Sequence, residues 1–392
     1  MAGASTLAAC DAGKHADQRV GGPQISIVGV NVGLDRPMPA DGVVQIAVDR
    51  YLLPSSVNRQ SLTIVDANNQ AVTADKAPII VYDPVARTVT VGAPSIGQWL
   101  TPGQPYKLVI AHGGLKAIDG AGLAPSQPLL KSLTKDIFAV EFVVAGTPLS
   151  GDAGTTQGMP VTSEQGVTAD LPKVDFCRDV FPIFFLKCGG PQCHGGGNSA
   201  AASLVLDSQI GIERTAINQV AQGSNVGPIA GTPPSEARRV FGADMPLISR
   251  HPSLASGSPG NSWLMYKVEL AAQPISQEPR PALECDGRVE PGATPSYRPL
   301  APQPRPYADD LERSILGDHV LGREMPFPVA QTGGDYTASP LTFDERELIR
   351  IWIATGSKTT DCGGCRIATP PPDAGSSSST DSGTSPADAG AD

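Results

Sequence analysis

Aromatic residues are scarce in this sequence, at 5% of 392 residues, and no run of eighteen or more apolar residues occurs. The missing apolar run excludes a helix that spans a membrane on hydropathy alone. Positive charge is also short: 29 basic against 39 acidic residues give a formal net charge of −10. An acidic chain argues against nucleic acid or anionic lipid as the main partner and suits docking against a basic protein. Glycine and proline are plentiful instead, 43 and 38 residues, which favours short strands, turns and extended connections over a helical bundle. The length points to two domains with linkers.

Seven cysteines are too few for a disulfide miniprotein and more than a cytosolic chain usually keeps. They fall as Cys10, Cys177, the pair Cys188 and Cys193, Cys285, and the pair Cys362 and Cys365.

Residues 22–147 read as all-β. Gln24–Val32, Val43–Val48, Ser61–Val65, Thr88–Val91, Tyr106–Ile110 and Phe138–Val144 are short β-branched runs with period-two alternation. Turn clusters such as Pro39-Ala-Asp-Gly42, Asp66-Ala-Asn-Asn69, Thr101-Pro-Gly-Gln104 and Asp119-Gly-Ala-Gly122 separate them. The pattern predicts a β-sandwich, with His112 an ordinary loop histidine. Residues 148–173 form a polar linker, and residues 174–360 change to helices and long loops. Residues 361–392 run into a low-complexity tail that has almost nothing to bury and is expected to be disordered.

The chemistry-bearing motif is Cys188-Gly-Gly-Pro-Gln-Cys193-His194, behind the apolar run Val180–Leu186. Two thiols and a histidine beside the second suit covalent attachment of one haem c, with Cys188 and Cys193 as thioethers and His194 as the proximal iron ligand. Four residues separate the cysteines here, where two are usual. Two alternatives stay open: a Cys188–Cys193 disulfide beside a bystander histidine, or zinc, for which no further ligands follow nearby. Far along the chain, Met325-Pro326 precedes a helix over 342–356. Thr342 and Glu345 form its capping box, Leu348, Ile351 and Trp352 its apolar face, and Gly356 its end. Met325 is the candidate distal ligand, with His319, Met245 and His251 as rivals.

The order of Cys-x4-Cys-His, Met-Pro and a closing helix ending Trp-Ile-x-x-Gly resembles c-type cytochrome domains of planctomycete and myxobacterial type. The segment Pro259–Val268 matches their Pro-x-x-Ser-x-Leu. The resemblance covers Val174 to Gly356 and implies that Phe181, Phe184, Phe185, Ile351 and Trp352 line the core around the haem. Upstream, Asp83–Val91, Leu100–Ile110 and Gly114–Leu123 are similar to bacterial Ig-like domains of the surface-layer type, which implies a spacer or interaction module. Leu7-Ala-Ala-Cys10 resembles a lipoprotein lipobox and makes Cys10 a candidate lipidation site within an N-terminal segment 1–21.

The expected fold is therefore multidomain: an all-β Ig-like sandwich followed by a mainly α cytochrome c-like domain with long loops. The expected function is an exported mono-haem electron carrier rather than an enzyme, periplasmic or an outer-membrane lipoprotein. It would serve a redox partner protein, with contact to the membrane only through Cys10. Cys177, Cys285, Cys362 and Cys365 are disulfide candidates with three possible connectivities. Cys362-Gly-Gly-Cys365 lacks a thioredoxin-like setting. The alternatives are a haem-free, disulfide-bonded surface adhesion or scaffold protein, or a haem subunit of an oxidoreductase.

Overall fold

The computed structural model describes residues 21–40, 42–93, 99–111, 113–145, 174–191, 193–196, 200–221, 245–250, 257–272, 274, 280–281, 283–285, 310–320, 324–326 and 336–367. Cys10, His112, His251, the 148–173 linker and the tail beyond 367 lie outside them.

Eight strands build two antiparallel sheets. One has the order β1 (Ile27–Val30), β2 (Val44–Val48), β5 (Thr88–Gly92), β4 (Ile79–Asp83). The other runs β3 (Leu62–Val65), β6 (Pro105–Ala111), β8 (Ile137–Val143), β7 (Lys131–Thr134). Alternation drives the second sheet: Tyr106, Leu108 and Ile110 of β6 are buried while the residues between them are half-buried. The apolar sides meet in a core of Ile46, Val89, Val91, Leu62, Ile64, Leu108, Ile110 and Phe142. On β2 and β5 the polar residues are buried too, and Gln45 Nε2 donates to the hydroxyls of Thr88 and Thr90 at 3.3 Å each. Buried polar groups are tolerated where they are bonded in this way.

Two strands escaped the sequence pattern. β4 follows Pro78 as a short run, Ile-Ile-Val-Tyr-Asp, and β7 is fully exposed and polar, so neither alternates.

Beyond residue 173 the secondary structure is mostly short helices. The first, α1, is one helical run over Phe176–Val180, Phe181–Ile183 and Phe184–Cys188, with wide i→i+5 turns at both ends. Asp175 opens it, its carboxylate accepting from Arg178 N. There follow α2 (Gln209–Thr215), α3 (Trp263–Glu269), β9 (Leu283–Cys285), α4 (Asp310–His319), α5 (Phe343–Ala354) and β10 (Cys365–Ile367). The capping box of Thr342 and Glu345 is present on α5, as its spacing predicts. Trp352 of α5 packs on Phe176 and Phe184 of α1, with ring centroids 5.6 and 5.8 Å apart. Phe181 packs between Phe176 and Phe185 with its ring tilted to both, so the aromatics singled out by sequence do form one cluster.

Residues 361–367, which the sequence assigns to the tail, carry β10 and two cysteines. Cys177 and Cys362 form a disulfide, with Cα atoms 5.4 Å apart. Cys365 is also disulfide-bonded and stands opposite Cys285 in the β9–β10 ladder. Cys188 and Cys193 are free thiols.

The helical unit does not hang from the sandwich as a separate bead. Trp263, Tyr266, Ile315 and Leu316 join the sandwich core, and Val85 of the sandwich joins the helical one. Gly260 lies so close to Tyr82 that a Cβ there would stand 2.7 Å from its carbonyl oxygen, which restricts this position to glycine. Buried charges cross the same junction. The Arg50 guanidinium binds Glu312 of α4 and, at 2.8 Å, Asp119 of the sandwich. Arg350 of α5 binds Asp83 of β4 at 3.0 Å.

Candidate functional site

α1 ends by delivering Cys188, and the chain then folds back tightly. Gly189 N donates to Phe184 O, Cys193 N to Gly190 O and His194 N to Cys188 O, at 2.7, 2.8 and 3.0 Å. Gly195 is required in this turn, since a Cβ there would lie 1.9 Å from Gly189 O. Gly196 N donates to Asp207 at 2.7 Å and fixes the exit of the loop.

These bonds place Cys188, Cys193 and His194 on one wall of a cavity of about 160 Å³. Leu204, Leu206 and Leu247 form its apolar sides. Trp263, Leu264 and Lys267 of α3 line it too, together with Met325 and Pro326. Met325 is held against α3 by its N–H, which donates to Lys267 O at 3.1 Å. The structure thus brings together four residues that the sequence singled out, across more than a hundred positions. Two of the rivals are not among its lining residues, and His251 lies outside the described residues. Met245 packs into the sandwich-side core, and His319 is buried at the end of α4.

Sequence reasoning missed both lysines. Lys187 follows directly on the apolar run Val180–Leu186, and Lys267 lies inside the segment Pro259–Val268, where nothing in its spacing marks it. Lys187 is 5% exposed, and its ammonium donates to Pro340 O at 3.0 Å and to Glu345 at 3.2 Å. It also sits 4.2 Å from the centre of the Tyr336 ring. Burial lowers its pKa, and the facing Glu345 carboxylate works against that shift.

Two titrating groups on the first wall are set by burial. The Cys188 thiol is pushed up to about 12, so it stays protonated and unreactive at neutral pH. The His194 imidazole is pushed down by burial, against the pull of the Ala201 carbonyl, and is neutral at pH 7. Its Nδ1 lies 3.1 Å from Ala201 O, the geometry of a donor, and the Leu204 backbone is a second hydrogen-bond partner of the ring.

The expected covalent haem c is corrected here. Among the described residues no group of three or more His, Cys, Asp or Glu side chains is placed to hold a metal ion. The cavity volume matches a single benzene ring, on the scale of the ~150 Å³ apolar cavities that bind one. His194 and Met325 both line the cavity.

No helix among the described residues is long and apolar enough to cross a membrane. No protein-family model matches the chain, and no curated protein matches it. Among solved structures, the N-terminal part of the bacterial S-layer protein SbsC is similar at 14% identity and a TM-score of 0.22, over 31% of this chain and 24% of that one.

Proposed function

We propose that this chain is an exported protein of the cell envelope in which the β-sandwich is a rigid spacer or docking module and the helical unit binds a small apolar ligand. The convergence of Cys188, Cys193, His194 and Met325 on one apolar cavity carries this reading. Binding cavities are mostly apolar with a few placed polar groups, as here. Electron transfer is the role proposed for the ligand, as an organic redox carrier of about one ring, exchanged with an unidentified partner protein. A carrier fits better than an enzyme, because the cavity pairs a neutral imidazole with a thiol that burial keeps protonated. Export is supported by the bonded cysteines, since disulfides persist in oxidising compartments. A lipid at Cys10 is the proposed anchor.

Native mass spectrometry of the full chain, produced with export, tests the reading. A bound small molecule that is lost in a Leu264→Trp variant, which fills the cavity, is expected. Identical native and denatured masses, in protein that also takes up no small ring compound, would overturn it.

A second reading, a surface adhesion or scaffold protein, is favoured by one observation. Leu34 and Leu129 of the sandwich are exposed, Leu34 by 63%, and with Glu141 they line a depression of about 390 Å³. Leu34→Asp with Leu129→Asp would then abolish surface attachment while leaving the cavity intact.

A further inference from the structure

The Cys362-Gly-Gly-Cys365 segment is not among the residues that line the cavity, and both of its cysteines are disulfide-bonded. Burial sets the two bonds apart. Cys177–Cys362 lies in the helical core, its cysteines 7% and 2% exposed. Thr360 packs on both of its sulfurs, the hydroxyl 3.2 Å from Cys177 Sγ and the carbonyl oxygen 3.6 Å from Cys362 Sγ. Cys365 is only half-buried, at the start of β10 in the two-stranded β9–β10 ladder. Exchange requires a thiolate to reach a sulfur, so a thiol from solvent meets the bond at Cys365 before the one at Cys362.

The turn between the two cysteines folds one back on the other. Cys365 Sγ lies 3.8 Å from Cys362 O and 4.0 Å from Gly363 O. A thiolate released at Cys365 thus stands over the residue that carries the buried bond. So short a linker holds it there at an effective concentration of about a millimolar or more.

We propose that Cys362-Gly-Gly-Cys365 is a thiol–disulfide exchange site that takes a dithiol reductant and passes the reduction on to the buried Cys177–Cys362 bond. In the first step the dithiol reduces the disulfide at Cys365. Its two thiols become a disulfide, and their two hydrogens end on Cys365 and on the partner of Cys365. In the second step Cys365 gives up its proton and its sulfur bonds to Cys362 Sγ. The electron pair of the Cys177–Cys362 bond leaves on Cys177, which takes up the proton, so this step is redox-neutral. It frees Cys177 at the start of α1, whose far end delivers Cys188 to the cavity. The exchange does not depend on what the cavity binds.

Limited reduction of the full chain, produced with export so that its disulfides form, tests this. A stoichiometric amount of dithiothreitol is added at pH 8, thiols are trapped in acidic denaturant with N-ethylmaleimide, and tryptic peptides are weighed. Trypsin separates Cys177, in peptide 174–178, from Cys362 and Cys365, which share peptide 359–366. Expected is a trapped Cys177 together with a 359–366 peptide that keeps an internal disulfide and takes up no maleimide. Cys365→Ser removes the attacking sulfur, and trapping of Cys177 should fall by about tenfold or more. An equal yield of trapped Cys177 in that variant would overturn the proposal. So would a wild type in which the Cys177–Cys362 cross-link survives while Cys365 is trapped, or in which Cys362 and Cys365 are trapped together. Protection of every disulfide until the chain unfolds would overturn it as well. The wild-type peptide pattern decides the matter even if Cys365→Ser does not fold.

Discussion

The phenolic hydroxyl of Tyr51, just past β2 in the sandwich, donates to Glu269 Oε2 of α3 at 2.8 Å, and this bond ties the two units together. Arg346 of α5 donates to the same oxygen at 3.1 Å, while Oε1 has no hydrogen-bond partner among the described residues. Glu269 is therefore a buried carboxylate that depends on two donors. Removing one leaves it short of bonds in a dry setting. Tyr51→Phe is expected to destabilise the folded chain by about 1–3 kcal/mol. Denaturant unfolding followed by fluorescence checks this, and a change within about 0.5 kcal/mol would show that the bond does not matter.

The junction also sets a pH dependence. Burial pushes the Glu347 carboxyl up to about 8 from its ordinary 4.5, with Arg350 pulling it down and Asp83 pushing it further up. Burial raises Asp83 and Glu269 as well, each opposed by an arginine. A carboxyl raised in the folded state holds its proton more tightly there than when unfolded. Stability therefore falls as pH rises from about 4.5 to about 8 and levels off above that. Asp119 runs the other way: burial would raise it, but Arg50 and backbone donors hold it below 3.8, so its contribution is lost only in stronger acid. The melting temperature is expected to drop between pH 5 and pH 8. Glu347→Gln should flatten that slope, and an equal slope in the variant would contradict the assignment.

The disulfide Cys177–Cys362 closes a loop of 185 residues and fastens the start of α1 to the segment after α5. Restricting so long a loop limits the unfolded chain, and losing a native disulfide typically costs about 2–5 kcal/mol. Cys177→Ser is expected to lower the stability of the helical unit by that amount, and reduction of the wild type, which also opens the bond at Cys365, by at least as much. An unchanged midpoint on reduction would mean that packing of Trp352 against Phe176 and Phe184 suffices.

The two free thiols should differ sharply in reactivity. Cys188 is buried, with a pKa near 12, and Cys193 is half-buried in the turn. Iodoacetamide at pH 8 is expected to modify Cys193 faster by about a hundredfold or more, because only the thiolate attacks. Peptide mapping reads the ratio, and comparable rates would show that Cys188 is more open than its packing implies.

Local signals were the readable part of this sequence. Thr342 and Glu345 announced α5 because a capping box acts within one turn, and β6 announced itself by alternation. β7 stayed hidden because Lys-Ser-Leu-Thr is exposed throughout and follows no buried stripe. The junction was invisible for a different reason: Arg50 and Glu312 are 262 positions apart, and no local rule relates them. Cys188, Cys193 and His194 of the motif and the distant Met325 line one cavity in the fold. The motif suggested a covalent haem there, but residue types alone do not fix the volume that folding leaves between them.

The direct test of a ligand-binding cavity is a methyl NMR titration of the full chain, labelled with ¹³C at its methionine methyl groups, using benzamide as the probe. The Met325 methyl lines the cavity, whereas Met38 lies fully buried in the sandwich core and serves as the internal control. The Met325 resonance is expected to shift and saturate while Met38 stays fixed, with the Met325 shift abolished in Leu264→Trp. A Met325 resonance that does not move, or one that moves together with Met38 without saturating, would contradict it.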